Sequence, residues 1–235
     1  MDLFVPVEDE TIIFEKFKKV VSDLNQNDDV LIRFLRARDY DIPNAEKMLR
    51  NAVQWREATD INNYMKWKFP SNYEKDLPYR LFGKCNEGAA ICWVFVGKWT
   101  TKKFVDNDEG EQVLRYEFAM MERGLRIIAE SGRAGTIVLD MEGLTLAQAT
   151  HIPSLKLSFN ALQTVEQCYP EIAKAIYVIN VPWVFSFAYN FVKSIIAPRT
   201  MEKIKIFSYK EEWQAEFLKR FPIDSIVPQL LPPSH

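Results

Sequence analysis

The chain reads as an α/β protein in which an N-terminal three-helix cap packs on a domain with a mainly parallel sheet. From Leu77 onward, short β-branched and apolar runs alternate with helical segments of ten or more residues, the spacing of crossover connections. The first 60 residues carry helical periodicity and no such runs. Residues 183–196 form a third signal, a helix that is apolar over most of its circumference.

In order, residues 9–60 divide into three helices. Ile13, Phe17, Val20 and Leu24 share one face of the first. The second follows the Asn27-Asp28-Asp29 cluster, whose carboxylates suit a helix N-terminus, and presents Val30, Leu31, Phe34 and Leu35. The third starts near Pro43 and carries Ala45, Met48, Leu49, Ala52 and Trp55. Residues 61–76 are irregular and aromatic, a connector lying against a surface. The expected division is residues 1–60, 61–76 and 77–235.

Beyond Leu77 the strands expected are 89–96, 136–139, 175–179 and 204–207, with helices over 112–130, 151–168 and 211–220. At about 100° per residue, Trp183, Phe187, Phe191, Val184, Ile195, Ala188, Val192, Phe185 and Ile196 sweep roughly 220°. Tyr189, Lys193, Ser186 and Asn190 occupy the remainder. A surface helix needs an apolar stripe of only about 100°. The excess fits a helix buried between other elements, or a lid with an apolar ligand beneath and a membrane outside.

Composition narrows the function classes. The 235 residues are 48% hydrophobic and 26% charged, ordinary for a globular chain, and the 13% aromatic share favours bulky apolar cavities. A net charge of −2 with no block of like charge gives no case for nucleic acid. Cys85, Cys92 and Cys168 are too few for a disulfide framework or a zinc site and read as buried thiols in a reducing compartment. The N-terminal residues lack a basic segment followed by an apolar one, and the apolar region 176–197 is broken by Asn180, Pro182, Asn190 and Lys193. The expectation is a cytoplasmic protein with peripheral membrane association.

The loops are poor in reactive groups. There is neither a GxSxG elbow nor a GxxxxGK[ST] phosphate loop, and the glycines of 132–135 precede a strand instead of following one. With His235 terminal, His151 is the one internal histidine and reads as a surface residue or cap. Asp140 and Glu142 read as a strand-end turn closed by Gly143. No catalytic residue, metal site or cofactor is expected.

Three phrases, in order and at fitting distances, carry a family resemblance: LIRFLRARDYDIPNAEKMLRNAVQWRE at 31–57, TIVLDMEG at 136–143 and YPEIAKAIYVINVPWVFSFAYNFVKSIIAPRTMEKI at 169–204. Together they resemble the CRAL-TRIO lipid-binding family, in its phosphatidylinositol-transfer-like branch, over roughly residues 9–222. The resemblance implies a helical cap on an α/β domain with a deep apolar cavity closed by a mobile gate helix. Trp183, Val184, Phe187, Ala188, Phe191, Val192 and Ile195 are then the gate and cavity residues. It further implies that Arg38, Glu171, Thr200 and Lys203 bind a lipid headgroup, the cations balancing a phosphodiester and Glu171 and Thr200 serving ring hydroxyls.

Some positions depart from the pattern. Asp39 and Ile172 stand where basic residues often occur, and Gly135 and Ile137 where phosphatidylcholine binders carry hydroxyls. IVPQLLPPSH replaces the usual glycine-containing close of the domain. The expected function is non-enzymatic binding and transfer of a single lipid, most simply a phosphoinositide, at a transiently visited membrane surface. The alternatives are a carrier of a neutral ligand (retinoid, carotenoid, tocopherol or squalene) and a lipid-regulated protein-interaction module.

Overall fold

The computed structural model describes residues 5–231; the outer ends of the first and last expected domains, with His235, lie outside the described residues. Helices α1 (Thr11–Val20), α2 (Asp28–Arg36) and α3 (Ile42–Ala58) form the N-terminal unit, and α4 is the single turn Tyr73–Asp76. Strands β1 (Tyr79–Lys84) and β2 (Ala90–Val94) precede α5 (Thr101–Asp106) and α6 (Gly110–Ser131). Then come β3 (Gly135–Asp140), α7 (Leu146–Ala149), α8 (Ile152–Cys168), β4 (Ala173–Ile179) and α9 (Phe185–Val192). The remaining elements are α10 (Pro198–Met201), β5 (Ile204–Ile206) and α11 (Lys210–Arg220).

The five strands lie in sequence order, β1-β2-β3-β4-β5. Only β1 is antiparallel, joined to β2 by a tight hairpin through Gly88; the other pairs are parallel. The sheet is therefore mainly parallel, as the long helical crossovers require.

Register divides the sheet's two faces. Trp93, Val138 and Tyr177 are aligned neighbours, and on their face Trp213 and Phe217 of α11, followed by Phe221, close a fully buried aromatic core. The opposite face carries two adjacent rows, Val94, Leu139, Val178 and Ile206 beside Cys92, Ile137, Ile176 and Ile204. On that face Ile137, Leu139 and Ile176 stay half-buried although the first two belong to the central strand. Strands buried on both faces read as near-continuous apolar runs, and these do, yet only one face is tightly packed.

The N-terminal unit is fastened to the domain by buried polar contacts. Arg56 of α3 pairs with Glu122 of α6 at 2.7 Å, and Glu122 also accepts from the Tyr169 hydroxyl at 2.7 Å. Trp55 stands edge-on to Phe118 and Tyr169. The aromatic connector lies on the domain: Phe69 and Tyr73 pack against Tyr116, and the Arg115 guanidinium sits 4.2 Å from the Trp67 ring centre. Cys92 and Cys168 are buried thiols, whereas Cys85 is only half-buried, at the end of the edge hairpin.

Inside the unit, Glu10 is held by both Arg36 nitrogens at 2.7 and 2.8 Å, by the Tyr40 hydroxyl and by the Val7 amide. The Arg36 hydrogen bonds, opposed by burial and aided by Tyr40, hold its carboxyl down at about 2. A folded-state value below the unfolded 4.5 means stability that is complete above about pH 4.5 and is lost as pH falls toward about 2. Acid unfolding followed by circular dichroism is expected to show a loss of about 3 kcal/mol across that window. A Glu10→Gln protein, less stable at neutral pH, is expected to lose little more there.

Candidate functional site: an apolar cavity with a charged mouth

The loosely covered sheet face opens on a cavity of about 450 Å³, within the usual range of about 300–1,000 Å³ for ligand sites. Its floor is the row Val94, Leu139, Val178, Ile206 with Ile137 and Ile176 beside it. Helix α6 supplies Phe118, Met120 and Met121 to one wall, and α8 supplies Leu155, Ala161, Leu162 and Val165 to another. Thioethers and branched chains give a wall that adapts to an irregular apolar occupant.

Helix α9 covers the cavity. It is shorter than its sequence period suggests: Trp183 and Val184 precede it and Lys193–Ile195 continue it as a single 3-10 turn. Phe185, Ala188, Tyr189 and Val192 line the cavity, with Ile196 just beyond. Tyr189 thus lies inside although its hydroxyl groups it with the polar side of the sequence wheel. Its ring stacks on Phe185 with centroids 5.6 Å apart, and its hydroxyl meets the Met201 sulfur at 3.4 Å. A tyrosine buries an apolar body wherever its tip finds a partner.

Of the seven gate and cavity residues expected from sequence, Ala188 and Val192 line the cavity. Val184 is buried at 5% exposure, Phe191 sets its ring against Phe159 of α8, and Ile195 lies over a smaller recess of about 250 Å³ beside the mouth. Trp183 and Phe187 face outward, 73% and 49% exposed, with their rings edge to face. No residue within α9 is fully buried. Apolar groups on both of its sides, one to the cavity and one to solvent, account for the wide arc.

The strand leading into α9 is anchored by Asn180, which adopts a left-handed φ of 53°. Its amide donates to Asp140 Oδ1 at 2.9 Å, and its carbonyl oxygen accepts from Trp213 Nε1 at 2.9 Å. Asp140 Oδ1 also accepts from the Glu142 amide, so this carboxylate organises the turn closed by Gly143, whose φ is 92°. His151 caps α8 through Nδ1 and faces Asp106 at 3.1 Å.

The four expected headgroup residues all border the cavity at one end, brought there by three separate elements. Arg38 follows α2, Glu171 precedes β4, and Thr200 and Lys203 flank the end of α10. Lys203 Nζ lies 2.8 Å from one Glu171 oxygen, and Arg199 Nε lies 2.9 Å from the other. Thr200 Oγ1 donates to Glu166 Oε2 at 3.2 Å. Arg38 donates to the Ala37 carbonyl at 2.8 Å and leaves the rest of its guanidinium fork at the cavity and the adjoining recess.

Arg199 and Glu166 are additional members of this mouth. Arg199 also bonds the Arg36 carbonyl and Asp39, which ties α10 to the end of α2. No sequence spacing marks it, because Lys203 lies beyond the end of α10 and the two cations meet through Glu171. Glu166 is hidden in an otherwise unremarkable α8, where burial pushes its carboxyl upward against the lowering hydrogen bond from Thr200. Glu171 has φ of 56°, a left-handed conformation that costs a non-glycine residue about 1–3 kcal/mol. The two ion pairs hold it there.

Among the described residues no cluster of three or more His, Cys, Asp or Glu could hold a metal, and no helix is long and apolar enough to cross a membrane.

Comparison with known proteins agrees with this architecture. Residues 8–51 match the CRAL/TRIO N-terminal domain and residues 75–230 the CRAL/TRIO domain. The chain is 25% identical over 215 residues to protein real-time of Aedes aegypti, covering 86% of this chain and 33% of that protein. It is 28% identical over 204 residues to SEC14 cytosolic factor of Yarrowia lipolytica, covering 81% of this chain and 41% of that protein. The chain therefore spans well under half the length of these relatives. The crystal structure of Sfh5 superposes with a TM-score of 0.72 at 18% identity, covering 88% of this chain and 83% of that one, a likeness of fold. With both its helical cap and its cavity-bearing domain matched in order, the chain belongs to the CRAL/TRIO family of lipid-binding domains.

Proposed function

We propose that the protein binds a single phosphoinositide and carries or presents it at membranes. The observation that carries this reading is the mouth, where Arg38, Arg199 and Lys203 converge with Glu171, Glu166 and Thr200 at the end of an otherwise apolar cavity. Among the mouth groups that line the cavity three cations face two carboxylates, with Asp39 paired to Arg199 outside it. The guanidinium forks and ammonium supply the charge-assisted hydrogen bonds a phosphodiester takes. The carboxylates accept from ring hydroxyls, and Thr200 donates or accepts as its rotor allows.

Acyl chains would lie along the Leu139 and Val178 row beneath α9. Outward-facing Trp183 and Phe187 suit contact with a bilayer, where an indole and a phenyl ring gain apolar burial at the headgroup boundary. That patch supports peripheral, reversible membrane association, and the similarity to a SEC14 cytosolic factor supports a cytoplasmic setting for it. A neutral ligand is the second reading, favoured because Glu171 already pairs with two of the three cations.

Native mass spectrometry after incubation with mixed liposomes tests the ligand. The wild-type protein is expected to retain phosphatidylinositol, and Lys203→Ala or Arg38→Ala to lose it about tenfold or more, as removal of one charge-assisted contact implies. Absence of inositol lipid from the wild type, or unchanged retention in both variants, would overturn the reading.

Phe187→Asp is expected to reduce liposome co-sedimentation several-fold at an unchanged melting temperature, since this half-exposed ring supports no core. Ala188→Trp, which fills the cavity from α9, is expected to cut uptake of a fluorescent lipid while the protein stays folded by circular dichroism.

A further inference from the structure

The apolar wall of the cavity contains one group out of keeping with it. Glu117, on α6, lines the cavity together with Phe118, Met120 and Met121. It makes no hydrogen bond or ion pair among the described residues, in contrast to the mouth carboxylates, each of which has a partner. The other polar side chains away from the mouth are largely engaged. Lys102 bonds Asp106, Gln148 donates to the Trp99 carbonyl at 2.7 Å, and Ser154 pairs with His151.

Burial alone pushes the Glu117 carboxyl up to about 8, with no charged neighbour contributing. At neutral pH the group is therefore mostly a protonated acid, with one O–H to donate and a carbonyl oxygen to accept. An unpaired polar group facing an apolar space is costly, and the cost ends when an occupant brings a matching group.

We propose that Glu117 is an inner polar anchor that takes the hydroxyl of a neutral, hydroxyl-bearing lipid lodged in the cavity. A hydroxyl is the smallest uncharged group that both accepts from the acid's O–H and donates to its carbonyl. An ester carbonyl satisfies only the first, an ether oxygen likewise, and a hydrocarbon neither. A cationic headgroup would need the ionised carboxylate, which its surroundings disfavour. The inference rests on a lipid-holding cavity and not on inositol recognition at the mouth, so each can fail alone.

The test uses flexible probes whose shape does not limit entry. The full chain is incubated with an equimolar mixture of 1-hexadecanol, hexadecyl methyl ether and methyl hexadecanoate. It is then re-isolated by gel filtration, and its extract is quantified by gas chromatography. Wild type is expected to retain the alcohol over the ether by about tenfold, the size of one satisfied hydrogen bond in a dry site. In Glu117→Leu the ratio is expected to fall to about one, and in Glu117→Gln, which keeps a donor and an acceptor, to stay above it.

The empty Glu117→Leu protein is also expected to melt above wild type, whereas a carboxyl kept for packing would leave it lower. An equal alcohol-to-ether ratio in wild type, no alcohol retained, or a preference surviving in Glu117→Leu would overturn the proposal. Preferential retention of methyl hexadecanoate would overturn it in favour of an ester carbonyl, the source a phospholipid would supply.

Discussion

The site exists because one face of a central parallel sheet has no close-packed layer upon it. Alternation along β3 and β4 sends Val138 and Tyr177 to the α11 side, where aromatic rings bury them completely, and sends Leu139 and Ile176 to the other. There α6, α8 and α9 stand off from the strands and leave a cavity. Apolar surface kept from tight packing forfeits about 25 cal/mol for each Å² and the dispersion contacts besides. Two sealed faces would make a more stable protein. The opened face is coherent as a site whose apolar lining is completed by a ligand.

The mouth solves a related electrostatic problem. Cations placed beside an apolar cavity are costly when empty-handed, and Glu171 supplies Arg199 and Lys203 with a counter-charge in the absence of ligand. Glu171 does so from a left-handed backbone conformation that is intrinsically unfavourable, the kind of local strain that persists where the surroundings over-determine it. The same arrangement fastens α10 to α2 through Arg199, Asp39 and the Arg36 carbonyl. The helical unit, the segment before β4 and the loop after α9 therefore share one charged junction. A ligand that exchanges partners with Glu171 acts on all three.

Periodicity made the three N-terminal helices, α6, α8, α11 and the four parallel strands legible to within a few residues, because each buries one continuous face. β1 was not, since its half-exposed edge pattern carries little signal. The wide arc of residues 183–196 was visible as excess apolar surface, but a helical wheel does not say which neighbours exist on which side. It could not separate outward Trp183 and Phe187 from inward Phe185 and Val192, and it placed Tyr189 by its hydroxyl instead of its ring. Family phrases pointed to Arg38, Glu171, Thr200 and Lys203. Glu166, Arg199 and Glu117 escaped notice because a charged residue on a helix is usually solvated, and only the fold reveals that these three face a cavity.

The geometry also constrains how the proposed lid can move. Asn180 is pinned between Asp140 at the end of β3 and Trp213 on the opposite face, and the Val181 amide still bonds the Phe207 carbonyl. Strand order therefore persists through residue 181, and displacement of α9 has to begin at or after Pro182. At its far end Ile196 and Ala197 are extended and Pro198 opens α10, which the Arg199 contacts hold to α2. Between those limits lies a helix with no fully buried residue and one main aromatic contact to α8, through Phe159. Few buried contacts between two fixed ends describe a segment of low local stability on a rigid frame, so opening can expose the cavity while the charged junction stays assembled.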